Sequence, residues 1–83
     1  MVEKEIGEVM DFFAQVGVIA IKLKSALSVG DTIKVKGGEH EFTQTIDSMQ
    51  VDRKPVQEAR KGESVGIKIT ERAHKGNKVF LIK

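Results

Sequence analysis

In Val18-Ile-Ala-Ile-Lys-Leu-Lys24, the residues Ile19, Ile21 and Leu23 alternate with Ala20, Lys22 and Lys24. A period of two sends one set of side chains to an apolar core and the other to solvent, as in a half-buried β-strand. The same pattern returns in Thr32-Ile-Lys-Val-Lys36 and in Val65-Gly-Ile-Lys-Ile69, while Lys78-Val-Phe-Leu-Ile82 is a more fully apolar strand. Glycines punctuate these runs: Gly30-Asp31 before one strand, Gly37-Gly38 after it and Gly76 before the last. Between them, Glu41-Phe-Thr-Gln-Thr-Ile-Asp47 directs Phe42 and Ile46 inward with Gln44 between them. Short Val- and Ile-rich runs between turns describe an all-β chain.

Two stretches resist this pattern. In the opening strand Ile6, Val9, Met10, Phe12 and Phe13 keep neither a period of two nor a helical one, so a bulge near Met10 or Asp11 is expected. Phe12 and Phe13 are adjacent: a regular strand sends one ring outward, whereas a bulge buries both. Pro55 to Lys61, closed by Gly62, has the proline start and basic end of a single helical turn. One turn leaves the class unchanged. Six or seven short strands without crossover helices favour a small closed barrel, because closure removes exposed sheet edges.

The chain has 83 residues, enough for one domain over 1–83, in which residues 1–4 are expected to fray. A domain this small buries only about 60% of its unfolded surface, so its core is shallow. No apolar run is long enough for a membrane span. The start Met1-Val-Glu-Lys-Glu5 is acidic, unlike a signal peptide, and cysteine is absent, so a cytoplasmic setting is expected. One asparagine with abundant Lys and Glu leans towards a heat-adapted composition.

Ile6-Gly7-x-Val9, Leu27-x-Val29-Gly30-Asp31-x-Ile33, Ile46-x-Ser48-Met49-Gln50, Val56-x-x-Ala59-x-x-Gly62-x-x-Val65-Gly66-Ile67 and the late Gly76 follow one another in an informative order. Together they resemble the domain-II β-barrel of translation elongation and initiation factors. The resemblance is closest to stand-alone elongation-factor-like proteins and to the C-terminal domain of U32 peptidase family proteins. It implies a six- or seven-stranded barrel whose relatives bind RNA or protein beside a separate catalytic domain. The U32 resemblance implies that catalytic or metal-binding residues reside in the other domain, so it carries no activity onto these residues.

The residues themselves offer no reaction. No Gly-x-x-x-x-Gly-Lys-Ser/Thr phosphate loop occurs, so neither nucleotide binding nor GTPase action is expected. His40 stands between Glu39 and Glu41, but neighbouring strand residues point to opposite faces, which is a poor start for a metal site. His74 lies in a loop where an acid-base role would need a partner that sequence alone does not show, no serine sits in a nucleophile elbow, and Asp11, Asp31, Asp47 and Asp52 are scattered. The reading is therefore non-enzymatic, without cofactor, metal or membrane.

Charge supplies the positive lead. The net charge of +2 is uneven, and all three arginines lie in the second half. Arg53, Lys54, Arg60 and Lys61 surround Pro55, and Arg72 and Lys75 flank the last turn. Gathered on one surface, these six would contact several phosphates, giving a salt-sensitive RNA interface for tRNA or rRNA. Interleaved Asp52, Glu58, Glu63 and Glu71 also fit a plain mixed-charge surface. Without Trp or Tyr there is little to stack on bases. The main expectation is a translation-associated RNA-binding module. The alternative is a protein-interaction module that docks through Phe12 and Phe13 onto a separately encoded enzyme or translation factor.

Overall fold

Alternation becomes strand wherever the pattern is regular. The computed structural model describes residues 3–82. It contains β1 (Glu3–Phe13), β2 (Val18–Leu23), β3 (Leu27–Ser28), β4 (Thr32–Gly37) and β5 (His40–Thr45). These are followed by β6 (Met49–Val51), β7 (Lys54–Val56), β8 (Glu58–Ala59), β9 (Ser64–Lys68) and β10 (Lys78–Ile82). Eight of them form one antiparallel sheet in the order β5-β4-β10-β1-β2-β9-β6-β7, and β3 pairs with β8. The inward set Ile19, Ile21, Ile33, Val35, Ile67 and Val79 is at most 1% exposed. The alternation thus maps directly onto the core face. The β3–β8 ladder adds Leu27 and Ala59 to the same core.

The all-β class holds, but the expected closed barrel does not form. The large sheet ends at β5 and β7, and these edge strands do not pair with each other. β7 is three residues long and contains Pro55, which has no N–H to donate to a further ladder. On the other edge, Gln44 uses its side chain: Nε2 donates to the Lys68 carbonyl and Oε1 accepts from the Thr70 N–H, both at 2.9 Å. A side-chain clasp joins β5 to the end of β9 where a backbone ladder would have closed the barrel.

The Pro55–Lys61 segment is not a helical turn either. Asp52 and Arg53 form the two-residue loop of a β6–β7 hairpin with φ of 52° and 65°, and the chain then continues through β7 and β8. Two positive-φ central residues are the mark of a type I′ hairpin turn, whose twist matches the strands it joins. Glu3 and Lys4, expected to fray, pair with β10; residues 1–2 lie outside the described residues.

β1 carries two irregularities. One lies between Glu5 and Gly7 on the β10 side and the other between Val9 and Asp11 on the β2 side. Gly7 is required by close approach, since a Cβ there would stand 2.7 Å from the Lys22 carbonyl oxygen. The second irregularity leaves Met10 as the extra residue, so Val9 opposes Ile21 and Asp11 opposes Ala20. Beyond it Phe12 opposes Ile19 and packs against the core, whereas Phe13 opposes Val18 and remains 49% exposed. The bulge therefore does not bury both rings; it resets the alternation so that one faces out.

Candidate functional site

The outward face of β2, β9 and β6 holds a shallow groove of about 310 Å³. Phe13 and Val16 form one wall, the second projecting 60% exposed from the β1–β2 loop. That loop is tied by the Phe13 carbonyl, which accepts from the N–H groups of Val16 and Gly17. Val18, Ala20 and Gly66 form the floor, with Ala20 directly opposite Gly66 across the β2–β9 ladder. Gln50, Asp52 and Arg53 form the far wall. A hairpin tip and two small residues on adjacent strands thus leave apolar surface open where larger side chains would have covered it.

Registers place cations around this groove. Lys22 lies opposite Ser64 and Lys68 opposite Val18, both exposed. The Asp52–Arg53 turn and the Arg60–Glu63 turn lie at the N-terminal end of β9, because β6 runs antiparallel to β9 with Gln50 opposite Gly66. None of the ion pairs among the described residues involves Lys22, Arg53, Lys54, Arg60, Lys61 or Lys68. The Glu63 carboxylate, which could have neutralised Arg60, instead accepts from the Arg60 backbone N–H at 2.6 Å. Arg72 and Lys75 follow the C-terminal end of β9, on the loop leading to β10. The six cations read from the sequence therefore do not converge: four gather at one end of β9 and two lie past the other.

Ion pairs occupy a different part of the outer surface. Lys34 on β4 pairs with Glu3 at 2.9 Å, Lys78 on β10 with Glu8 at 3.5 Å, and Lys24 donates to Glu5 on β1. The Lys24 hydrogen bond holds the Glu5 carboxyl below its ordinary value. Glu5 in turn raises the Lys24 ammonium, and a hydrogen bond to Glu3 raises Lys34. The His40 ring lies 3.6 Å from the Glu71 carboxylate, and the backbone N–H of His74 donates to Asn77 Oδ1 within the turn that precedes β10. Among the described residues no three His, Asp or Glu side chains converge as a metal centre would require. Nor is any helix there long and apolar enough to cross a membrane.

The crystal structure of the C-terminal domain of a Geobacillus thermoleovorans protein assigned to the U32 peptidases superposes with a TM-score of 0.89. The two share 19% identity, and the match covers 96% of this chain and 93% of that one. The fold is that of a U32 C-terminal domain. Its selenomethionine variant gives a TM-score of 0.86 at 20% identity over 92% of this chain and 96% of that one. In sequence, the chain is 39% identical over 80 residues to an uncharacterized protease of Methanocaldococcus jannaschii. That match covers 95% of this chain but 20% of the relative, so the chain spans about a fifth of that protein's length. No protein-family model matches.

These similarities overturn the main functional expectation. The matched proteins are described as peptidases or proteases, not translation factors, and nothing in them supports an RNA-binding module. The division of Arg53, Lys54, Arg60 and Lys61 from Arg72 and Lys75 also removes the single basic surface on which that expectation rested. Of the two phenylalanines expected to meet a partner, Phe13 is available and Phe12 serves mainly the core. Sequence reading missed Val16, Val18, Ala20 and Gly66 as lining residues. Gly66 was the available signal, a glycine inside an otherwise regular strand with no turn to explain it.

Proposed function

We propose that this chain is an accessory domain of the U32 C-terminal type that docks, through the face around Phe13 and Val16, onto a catalytic domain of a U32-type protein. It brings no reaction of its own. The observation that carries this reading is the apolar groove at the β1–β2 loop, where Phe13 and Val16, two of the three large apolar side chains left exposed among the described residues, stand together at 49% and 60% exposure; the third, Met10 at the β1 bulge, does not line it. Small soluble domains seldom leave an aromatic and an aliphatic side chain together in water beside a concave apolar floor without a use for them. The fold shared with a domain at the end of a larger peptidase, and the fifth of the length spanned in the Methanocaldococcus relative, support attachment beside a larger body. Attachment within one chain and attachment between chains need the same surface.

Titration calorimetry with the remainder of the Methanocaldococcus relative, expressed without its matching 80 residues, tests the reading. Saturable binding is expected for the unaltered domain, and loss of it for Phe13→Ser combined with Val16→Ser, since central apolar anchors carry most interface energy. A folded domain that produces no heat with this polypeptide would remove the proposal.

A further inference from the structure

Resting on the docking reading, we infer that the groove receives an acidic segment of the partner, with an apolar anchor over Gly66 and carboxylates towards Lys22, Arg53 and Lys68. Two lining residues are worse for the fold than simple replacements would be. Gly66 sits inside β9 with ladders on both sides, where glycine weakens a strand by its entropy and its missing side chain. No internal crowding demands it: a Cβ there would meet only Val18 Cγ1 at 3.5 Å and the Gln50 carbonyl oxygen at 3.9 Å, both ordinary contacts. What a side chain would obstruct is the groove. Arg53 holds φ at 65° in the second central position of a type I′ turn, a place that glycine fills without strain. An arginine there accepts a conformation disfavoured for L-residues, and it lines the same groove. Strain and a weakened strand meeting at one concavity point to use rather than to folding.

Charge identifies the occupant. Among the described residues Asp52 and Arg53 are the charged groups lining the groove. Lys22 and Lys68 flank it in register, and Lys54, Arg60 and Lys61 stand with Glu58 and Glu63 at the N-terminal end of β9, so cations outnumber carboxylates there. None of these cations joins an ion pair among the described residues. Asp11, which shares the outer face, is occupied by accepting from the Phe12 N–H at 2.9 Å. An apolar floor under a surplus of unpaired cations complements a peptide with an apolar centre and glutamates or aspartates on its flanks. The volume, about 310 Å³, lies at the small end of ligand pockets, which suits an anchor of one or two side chains.

The probe is a short acetylated peptide with a leucine–phenylalanine centre flanked by glutamates, titrated into the isotope-labelled protein and followed by amide NMR. Shifts are expected to concentrate at Ala20, Gln50, Arg53 and Gly66. Affinity should fall by about tenfold or more when the glutamates become lysines or the apolar pair becomes serines. Gly66→Ala should raise the melting temperature, and Arg53→Gly should raise it by about 4–8 °C, the shift that relief of one strained residue gives in a domain of this size. Gly66→Val should fill the floor and abolish the shifts, with Gly66→Ala as the folded alternative if the larger residue is not tolerated. Equal response to the three peptides, shifts centred elsewhere, or lower melting temperatures for both Gly66→Ala and Arg53→Gly would overturn the inference. Partner binding that depends on Phe13 without peptide discrimination would leave the docking reading standing and remove only the acidic segment. Peptide discrimination without partner binding would do the reverse.

Discussion

Phe80 and Phe13 both project from the outer side of the sheet, yet they meet different surroundings. Phe80 on β10 lies between Glu5 on β1 and Lys34 on β4, directly opposite each in register, and is half-buried. Around it the pairs Lys24–Glu5, Lys34–Glu3 and Lys78–Glu8 place long alkyl stems over the apolar surface and match their own charges. Phe13 lies between the loop side chain Val16 and a floor made of Ala20 and Gly66, with no ion pair among the described residues spanning it. The first region completes itself within the chain. The second has apolar surface and charge left over, and that surplus is what a partner would use.

Glycine substitution separates the two regions most strongly. Gly7→Ala should cost about 2 kcal/mol in denaturant unfolding, because its Cβ would stand 2.7 Å from the Lys22 carbonyl in a strand that cannot move freely. The same change at Gly66 should be stabilising, and similar losses at both positions would erase the distinction. Phe80→Ser should lose about 1.5 kcal/mol through its half-buried ring, whereas Phe13→Ser should stay within about 0.5 kcal/mol of the unaltered protein. Gln44→Ala, which opens the clasp between β5 and β9, should cost about 1 kcal/mol and speed amide exchange at Thr70.

The smallest effect is electrostatic and belongs to the paired region. Glu5 titrates below its ordinary 4.5 in the folded protein, so its contribution is complete above that value and is lost as pH falls through the lowered one. Lys24 and Lys34 titrate above their ordinary 10.5, so theirs is complete below that value and is lost as pH rises through the raised ones. Thermal melts of Glu5→Gln should show a shallower acid limb than the unaltered protein, and added salt should shrink the difference.

Strand positions were legible because β2, β4 and β9 keep strict alternation, a period with a single structural meaning at that length, and because β10 is a short Val- and Ile-containing apolar run bounded by a glycine turn. The bulge in β1 was legible for the complementary reason, as a pattern that no single period fits. Closure was not. Whether β5 closes on β7 through a ladder or is held through Gln44 to the end of β9 depends on distances that the pattern does not carry. The Pro55 segment misled because proline followed by a basic run and glycine suits both a helical turn and a short blunt edge strand, and the positive φ of Asp52 and Arg53 leaves no trace in composition. The groove was half legible. Phe13 announced itself by adjacency to Phe12, but its neighbours come from three strands whose order only the fold supplies. The basic surface failed for the same reason, since nearness along the chain put Arg72 and Arg60 on one list and the length of β9 keeps them apart.

The pairing of β1 with β10 sets Glu3 beside Ile82, so the first and last strands enter and leave the domain side by side. A body with neighbouring ends behaves as a plug-in cassette: a host polypeptide can receive it at a single surface point, and the proposed docking face, rather than chain tension, would then set its orientation. Grafting it into a surface loop of an unrelated carrier should therefore leave both folds intact, with the Phe13 face still presented outward.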